Sequence, residues 1–438
     1  MNYNDVMVYL DDLHNMLGYD LGLDRIYALL EEMGNPQEKV KVIHVAGTNG
    51  KGSVCSMISS VLMNAGYKVG VYTSPHLEKY NERFRINGID ITDEDFVRNM
   101  EYTIKMCEKI KEKGIGQPTV FEVVTAAAFN YFAENKVDYL VLEVGMGGRC
   151  DATNVISKPL LSVIVSISMD HMDYLGNTLS ALAYEKGGII KENCPTLLYA
   201  KENEVLDVIK NICAEKNSKL YTFKDENISV KNADINGTVF DVKTDDFDIE
   251  NVKIKLIGDY QFINGAEAAL ACAILEKEGV KIGEKAFKDG MEKASWSGRM
   301  EIVSKDPVVM LDGAHNIDGI HMLAQSLKKY FKNEKLTLLI GILGDKEYEK
   351  MVDTLMPLAS KVVFTEPQSE RKWHVDELSK LTDKYNVEIH TEKDIEKAFN
   401  IAKSITAKED ALICCGSLYL IGALYKIASK NWYICRWL

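Results

Sequence analysis

Short apolar runs alternate with segments of helical periodicity along most of this sequence. In the N-terminal part the runs have the length of buried strands, and the segments between them have the length of helices. The predicted strands are Val40–Ala46, Val69–Thr73, Tyr139–Val144, Leu161–Ile167 and Thr196–Tyr199, and the predicted helices include Ser53–Ala65, Thr119–Glu134 and Thr178–Ile190. This alternation is typical of a doubly wound α/β domain with a parallel sheet.

The pattern changes after Asp225 and later returns. Polar and apolar residues alternate up to Ile257, which predicts a small antiparallel patch, and helices are predicted at Gln261–Gly279 and Glu284–Ala294. A second α/β series begins near Met300, with strands predicted at Pro307–Leu311, Leu336–Ile340, Lys361–Thr365, Val387–His390 and Ala411–Cys414. The sequence therefore predicts two domains, a larger one over 1–297 and a smaller Rossmann-like α/β domain over 298–438.

The composition argues against several classes of protein. A net charge of −13 disfavours a surface that binds nucleic acid through its phosphates. The nine cysteines are scattered and include no Cys-x-x-Cys pair, so we expect neither a disulfide framework nor a cysteine zinc site. The longest uncharged stretch, Ala411–Tyr425, is too short to span a bilayer. We therefore expect a cytoplasmic protein that binds neither nucleic acid nor membrane.

A glycine-rich loop stands between a predicted strand and a predicted helix, with the sequence Gly47-Thr48-Asn49-Gly50-Lys51-Gly52-Ser53. In this context backbone N–H groups and a helix N-terminus hold phosphate. Lys51 would contact the terminal phosphates, and the Ser53 hydroxyl would join a magnesium ion. The match to the usual phosphate-loop pattern is imperfect, because Val45 replaces the first glycine and Gly52 separates lysine from serine. On spacing alone, a glycine-rich turn without a ligand is the alternative.

The irregular form of this loop resembles the phosphate loop of the Mur ligase superfamily. Further motifs, in the same order, resemble the folylpolyglutamate synthase/dihydrofolate synthase family within it. The motifs are Thr73–Leu77, Glu82–Gly88, Leu142–Arg149, Asp151–Asn154, Asp170–His171, Glu185–Ile189, Trp296–Arg299 and Asp312–Asn316. The departures are Cys150, where the family commonly has leucine, and Ser297 and Ile317, where it usually has proline.

The resemblance implies an ATP-dependent ligase. ATP would convert a folate or dihydropteroate carboxylate to an acyl phosphate, and the amine of L-glutamate would attack it to give an amide, ADP and phosphate. Residues 1–297 would be the ATP-binding domain of the Mur ligase central type, and 298–438 the glutamate ligase domain. We expect a monomer. Catalysis would need the two domains to close, because Lys51, Glu143 and His171 lie in one, and Asp312 and His315 in the other.

Because a carboxylate must approach a polyphosphate, groups that neutralise the γ-phosphate are the main catalytic need. The resemblance implies two magnesium ions, held by Ser53, Ser74, Glu143, His171 and Lys186. Lys186 would be carbamylated, which requires a neutral amine and is favoured by desolvation. From context alone the alternatives are structural, with Glu143 and Ser74 capping turns, His171 packing in the interior and Lys186 solvated on a helix.

For the nucleotide, the resemblance places Gln261 and Asn264 on the adenine side, Asp312 at the ribose and Arg299 at the phosphates. It assigns His315 to the γ-phosphate or acyl-phosphate region, as a catalytic residue together with Lys51 and Lys186. Without the resemblance, Gln261 and Asn264 would be surface polar residues and Arg299 an interdomain ion-pair partner. Asp312 would then belong to a turn, and His315 would cap a helix.

For the substrates, Ser417 stands at a Gly-Ser turn where its hydroxyl and the following helix N-terminus would bind the carboxylate of glutamate. Phe121 and Asp151 fall where the family contacts the pteroate part of the acceptor. Phe121 is equally a core residue, and Asp151 is equally a turn cap. Dihydropteroate, reduced folate or both are open as acceptors.

Two other functions compete. A ligase that acts on a peptidoglycan precursor shares the loop and the two domains, but it generally carries an extra N-terminal domain, for which the 46 residues before Gly47 are too few. A non-catalytic nucleotide-binding regulatory module also explains a phosphate loop. Such a module does not need Glu143, His171 and Lys186 together with an interdomain arginine.

Overall fold

The chain forms two compact units in a computed structural model that describes residues 1–17, 22–169, 176–344, 347–369, 372–380 and 384–431. Unit 1 comprises Met1–Lys231, Val239–Ile254 and Ile263–Ala294, and unit 2 comprises Asn232–Thr238, Lys255–Phe262 and Ser295–Leu438. The division at 297/298 stays a prediction. Among the helices of the described ranges, none has both the length and the apolar character needed to cross a membrane.

Unit 1 is built on an eight-stranded sheet. Its strands are β1 Val42–Ala46, β2 Val69–Tyr72, β3 Phe84–Ile86, β4 Ile89–Asp90, β5 Tyr139–Glu143, β6 Leu161–Ile164, β7 Thr196–Tyr199 and β8 Leu220–Phe223, in the order β4-β3-β2-β5-β1-β6-β7-β8. The six strands from β2 to β8 in this order pair in parallel, and β3 and β4 add an antiparallel edge. Strands β1, β2, β5, β6 and β7 are wholly buried, which explains their continuous apolar sequence.

Helices follow the strands as the alternation predicts. They are α1 Tyr3–Leu17, α2 Asp24–Glu32, α3 Lys51–Asn64, α4 Asp93–Glu112, α5 Val120–Glu134, α6 Leu179–Gly187, α7 Asn203–Glu215, α8 Gln261–Lys277 and α9 Glu284–Lys293. A threonine begins several of them. Thr119 and Glu122 form a reciprocal capping box at α5, and Thr178 caps α6.

The alternating region after Asp225 forms a separate three-stranded sheet. Its strands are β9 Ile228–Asp234, β10 Gly237–Lys243 and β11 Asp248–Ile254, in the order β11-β10-β9. Helix α8 packs closely on this sheet, because a Cβ atom added to Gly265 would stand 2.9 Å from the ring of Phe240. Glycine at this position therefore allows the close approach.

Unit 2 is built on a six-stranded sheet with the order β12-β13-β17-β14-β15-β16. The strands are β12 Glu301–Lys305, β13 Val308–Leu311, β14 Leu336–Ile340, β15 Ala359–Phe364, β16 Glu388–Thr391 and β17 Ala411–Cys415. All are parallel except β12. The helices are α10 Ile317–Tyr330, α11 Tyr348–Leu355, α12 Val375–Lys380, α13 Ile395–Ile405 and α14 Leu418–Asn431. The predicted Rossmann-like fold is confirmed, and the strand order reverses beside β17, where such sheets place ligands.

Two polar side chains are buried where the sequence pattern is apolar. His44 lies in the middle of β1 and has no exposed surface, and Glu267 lies in α8 with 1% exposed. Polar groups at such depth cost free energy unless they are hydrogen-bonded. His44 meets a partner in unit 1, whereas neither carboxylate oxygen of Glu267 has a hydrogen-bond partner within the described ranges.

Candidate active site

The glycine-rich loop lies at the carboxyl end of β1, held by the segment that follows β6. Thr48 N–H donates to the Ser166 carbonyl at 2.7 Å, and the Thr48 hydroxyl donates to the Ser168 carbonyl at 3.0 Å. The Ser166 hydroxyl donates to the Asn49 carbonyl at 2.9 Å. A Cβ atom on Gly47 would stand 2.1 Å from a Val165 methyl. The loop is therefore a fixed concave backbone, as a phosphate site requires.

Helix α3 begins directly in the loop. Gly50 precedes it with φ +94°, and Lys51 is its first residue. The Lys51 ammonium donates to the carbonyls of Gly47 and Thr48, at 3.1 Å each. Ser53 is 2% exposed in the first turn. The first-turn N–H groups of α3 and the Lys51 charge are thus both at the loop, where they would favour an anion.

Glu143 ends β5 beside the loop, because its Cα pairs with that of Val45 on β1. The side chain is 5% exposed, and one of its oxygens accepts the N–H of Ser74 at 3.2 Å. The structure therefore brings together two of the residues predicted to bind metal. Cys55 on α3 lies near this carboxylate and near Lys51, since burial first and then Glu143 raise the pKa of its thiol, while Lys51 lowers it.

Lys186 is 4% exposed on α6, so the alternative of a solvated helix lysine is wrong. The Gly147-Gly148 turn packs on the backbone of this residue. A Cβ atom on Gly148 would stand 2.7 Å from the Glu185 carbonyl oxygen and 3.0 Å from that of Lys186. The carbamylation of Lys186 stays a prediction. His171, the other predicted ligand, lies outside the described residues.

The donors near the loop fit a magnesium ion that binds with its nucleotide. Within the described ranges, no group of three or more His, Cys, Asp or Glu side chains is arranged to hold a metal. The set is instead one carboxylate, Glu143, with the hydroxyl of Ser53 and the nearby Ser74. Magnesium characteristically takes one or two protein carboxylates and completes its shell with phosphate and water oxygens. These residues thus suit that mode rather than an all-protein cage.

Phe121 and Asp151 meet at Gly145, just beyond the end of β5. A Cβ atom on Gly145 would stand 2.4 Å from the Phe121 ring and 3.1 Å from Asp151 Oδ2. The Asp151 side chain caps the turn Ala152–Val155, so its predicted capping role is confirmed. Burial raises the pKa of its carboxyl, and hydrogen bonds from Thr153, Met146 and Gly145 lower it. The two residues predicted to contact the acceptor therefore lie side by side at Gly145.

Gln261 and Asn264 are buried at the start of α8, with 0% and 6% of their surface exposed. The alternative of surface polar residues is therefore wrong. In unit 1, the Asn264 side chain lies against the phosphate loop, because a Cβ atom on Gly50 would stand 2.4 Å from Asn264 Oδ1. Their contact with adenine stays a prediction.

Within unit 2, Asp312 follows β13 and organises the segment that carries Arg299. Its carboxylate accepts the N–H groups of Met300 at 2.9 Å and Ala314 at 2.8 Å. Burial raises the pKa of Asp312, while Arg299 and these N–H groups lower it. Arg299 lies against Gly313, where an added Cβ atom would be 2.9 Å from the guanidinium. Asp312 thus forms the predicted turn and also faces the arginine.

His315 lies beyond Asp312 in the segment after β13, and Ser417 follows β17. His315 Nδ1 is 2.8 Å from the Gly313 carbonyl, so Nδ1 carries the proton and Nε2 is the acceptor nitrogen of the neutral ring. The alternative of His315 as a helix cap is wrong, because Asn316 caps α10. Ser417 has no exposed surface, and its hydroxyl accepts the Tyr419 N–H at 3.1 Å. Its role in binding glutamate stays a prediction.

Two supporting contacts escaped the sequence interpretation. Tyr425 on α14 meets Glu301 on β12, and Gly298 N–H donates to both, at 2.9 Å to the tyrosine oxygen and 3.0 Å to the carboxylate. In unit 1, His44 meets Thr153. The partners are 124 and 109 residues apart along the chain, so no local pattern indicates either contact.

Comparisons with known proteins agree with this architecture. The Mur ligase middle domain matches residues 45–273, and the Mur ligase glutamate ligase domain matches 298–418. The dihydrofolate synthase/folylpolyglutamate synthase of Bacillus subtilis is 36% identical over 94% of this chain and 97% of its own length. The Escherichia coli protein of the same name is 31% identical over 96% of this chain and 94% of its own.

Solved structures give the same result. Folylpolyglutamate synthase from Thermotoga maritima superimposes with a TM-score of 0.87 at 36% identity, covering 98% of this chain and 97% of that one. An Escherichia coli structure in complex with DHPP and ADP superimposes with a TM-score of 0.85 at 29% identity, covering 97% and 98%. The likeness therefore extends over both units.

Proposed function

This chain belongs to the dihydrofolate synthase/folylpolyglutamate synthase family of Mur ligases, and on that premise we propose that it joins L-glutamate to a folate or dihydropteroate carboxylate. The reaction consumes ATP, passes through an acyl phosphate and gives an amide, ADP and phosphate. The enzyme is an ATP-dependent acid–amino-acid ligase. A monomer in the cytoplasm is the state we expect.

The observation that carries the proposal is the phosphate loop beside Glu143 on the next strand. The loop offers backbone N–H groups, a helix N-terminus and the Lys51 ammonium to an anion. Glu143 is 5% exposed, and its Cα pairs with that of Val45 near the end of the strand that leads into the loop. A carboxylate beside a phosphate site is otherwise repulsive, so its presence favours a bound cation between the two.

In this reaction the residues of unit 1 would bind and orient the phosphates. Lys51 would exchange its bonds to the Gly47 and Thr48 carbonyls for the terminal phosphates, where its charge offsets that of the approaching carboxylate. Ser53, Ser74 and Glu143 would hold magnesium, with Lys186 and His171 as the further predicted ligands. Bound magnesium supplies charge neutralisation at the γ-phosphate.

The residues of unit 2 would act on the same reaction from their own strand ends. Arg299 would contact the phosphates and Asp312 the ribose. With Nδ1–H donating to the Gly313 carbonyl, Nε2 of an unprotonated His315 ring can take a proton from the ammonium group of glutamate, so that the resulting amine attacks; a protonated ring can donate to a phosphate oxygen. Ser417 would orient the glutamate carboxylate at the N-terminus of α14.

The direct test is phosphate release by the purified chain with ATP and magnesium. We expect release only when glutamate and an acceptor are both present, with dihydropteroate and tetrahydrofolate assayed separately. The product mass should increase by one glutamate residue for each phosphate released. Several additions to one acceptor molecule would identify polyglutamate synthesis, and activity with dihydropteroate would identify dihydrofolate synthesis.

Two controls sharpen this assay. Omission of glutamate separates ligation from simple ATP hydrolysis. A uridine-nucleotide peptidoglycan precursor in place of the folate tests the competing ligase function. Tight nucleotide binding with no glutamate-dependent product from any acceptor would overturn the proposal in favour of a regulatory module.

A further inference from the structure

Three buried polar side chains of unit 1 connect the centre of the sheet to the predicted acceptor contact. His44 Nε2 is 2.9 Å from Thr153 Oγ1, and Thr153 Oγ1 is 2.5 Å from Asp151 Oδ1. His44 and Thr153 have no exposed surface, and Asp151 has 5%. We call His44, Thr153 and Asp151 the buried polar chain.

Its hydrogen bonds have one consistent direction. Asp151 Oδ1 also accepts the Thr153 N–H at 2.9 Å, so this oxygen is an acceptor and the Thr153 hydroxyl donates to it. A hydroxyl has a single proton, and Thr153 Oγ1 must therefore accept from His44 Nε2–H. Burial first, and then the charge of Lys191, lower the pKa of His44 to about 3, so the ring is neutral. Donation runs from His44 to Thr153 to Asp151.

The far end of the chain fixes the turn after β5. Asp151 Oδ2 accepts the Met146 N–H at 2.9 Å, and the carboxylate lies against Gly145. The Phe121 ring packs on the same glycine. With donors on both oxygens the carboxylate has little freedom to rotate, so its orientation sets that of the Gly145–Met146 turn beneath the ring.

At His44, the near end of the buried polar chain, there is a cost in free energy that packing alone does not explain. His44 Nδ1 is buried and has no hydrogen-bond partner among the described residues. An apolar side chain would fill this place in β1 without leaving an acceptor unsatisfied. The donor on Nε2 is what the histidine adds.

We propose that His44 and Thr153 are positioning residues for the acceptor. They hold the Asp151 carboxylate, and through it the Gly145–Met146 turn beneath Phe121, in the arrangement that binds the pteroate part of the acceptor. This inference rests on the proposed function, because it assumes that Phe121 and Asp151 form the acceptor site. It assigns no contact with ATP to either residue.

The decisive variant is Thr153→Val, which keeps the shape of the side chain and removes its hydroxyl. We expect KM for the acceptor to rise about 10- to 100-fold, since a bond to a buried carboxylate is lost. KM for ATP and kcat should each change less than about 3-fold. The buried polar chain is expected to support binding of the acceptor equally in the ground state and the transition state, and not binding of ATP. Thr153→Ser restores the hydroxyl and should return the acceptor KM to within about 3-fold of the original.

Thr196→Val is the matched control. Thr196 is also fully buried in unit 1, and its hydroxyl is 2.9 Å from that of Ser218, away from the buried polar chain. This variant should lose thermal stability as Thr153→Val does, with the acceptor KM unchanged. If Thr153→Val does not fold, His44→Phe decides, with a smaller expected rise of about 3- to 10-fold in acceptor KM.

Two results would overturn the inference. One is an unchanged acceptor KM in a folded Thr153→Val or His44→Phe protein. The other is an equal rise in the KM values for acceptor and ATP, which a general structural defect produces. Failure of the proposed function is a separate outcome, because the unmodified protein would then form no glutamate adduct with either folate acceptor.

Discussion

Units 1 and 2 both place polar residues at the carboxyl ends of a parallel sheet, but they fix them by different means. In unit 1 the loops close on each other through backbone and small side chains, as where Thr48 bonds to the Ser168 carbonyl. In unit 2 a large buried side chain holds the segment before Arg299, since Tyr425 accepts the Gly298 N–H. The stability and activity of unit 1 should therefore suffer most from substitutions that add atoms, and those of unit 2 from substitutions that remove a buried hydroxyl.

The largest effect is expected from removing the one cation in the phosphate loop. Lys51→Ala should lower kcat/KM for ATP by at least about 10³-fold, because the charge that offsets the γ-phosphate is lost. The protein should stay folded, which circular dichroism and a thermal melt would check. Lys288→Ala, an exposed lysine on α9 paired with Glu284, is the control and should retain full activity. A Lys51→Ala protein of near-normal turnover would contradict the assignment of this loop to the phosphates.

Gly148→Ala tests the sensitivity of unit 1 to a single added methyl group. The new Cβ would stand 2.7 Å from the Glu185 carbonyl oxygen and 3.1 Å from the Lys186 Cα, and backbone atoms cannot move aside cheaply. We expect a loss of about 1–3 kcal/mol in the free energy of unfolding, measured by denaturant titration. Activity should fall as well, because the shift is imposed on the backbone of Lys186. Unchanged stability would show that the turn adapts, and would weaken the contrast between the units.

Glu267→Leu sharpens the comparison inside unit 1. Asp151 accepts hydrogen bonds from several donors, whereas Glu267 accepts none from the part of the chain that the structure describes. Burial raises the pKa of Glu267 well above its ordinary value. The folded state therefore holds a proton that the unfolded state has released, and stability falls as pH rises above the unfolded pKa of about 4.5. The slope is about 1.4 kcal/mol per pH unit until the folded pKa is reached.

Removing this carboxyl should stabilise the protein, and by more at pH 8 than at pH 5. The measurement is the unfolding free energy of both proteins at the two pH values. Glu276→Leu, on the exposed part of the same helix, is the comparison variant. A gain that is equal at both pH values would mean that Glu267 does not titrate on unfolding.

The smallest effect is expected in unit 2 from deleting one hydroxyl. Tyr425→Phe removes a partner of Glu301 and Gly298 at a side chain that is 1% exposed. The expected loss is about 1 kcal/mol in the free energy of unfolding, with a rise in the KM for ATP through the neighbouring Arg299. Tyr419→Phe, which is 49% exposed on the same helix, should change neither. Equal changes in the unfolding free energy of the two variants would mean that the Tyr425 hydroxyl does not hold the segment before Arg299.

The sequence predicted most strands and the phosphate loop because their causes are local. Buried parallel strands require continuous apolar runs, and a loop between strand and helix needs glycine where φ is positive, as at Gly50. Glu143 could be placed beside the loop because it directly follows such a run. The predicted Rossmann-like second domain followed from the same alternation.

Burial of polar residues could not be predicted in the same way. Without the family resemblance, the sequence would have predicted solvent-exposed positions for Lys186, Gln261 and Asn264. Helical spacing does not show which polar face of a helix packs against another element. The bonds of His44 to Thr153 and of Tyr425 to Glu301 join residues that are 109 and 124 positions apart. Only the packed fold brings such partners together.

Two features exclude a side chain at position 50. Gly50 has a φ of +94°, and Asn264 Oδ1 is 2.4 Å from the place that a Cβ atom would take. The phosphate loop and the helix that carries Asn264 are therefore a matched pair within unit 1. A loop transplanted from a relative should function only if its residue at 50 is glycine and position 264 is compatible with it. Sequence drift at either position is limited by the other, although more than 200 residues separate them along the chain.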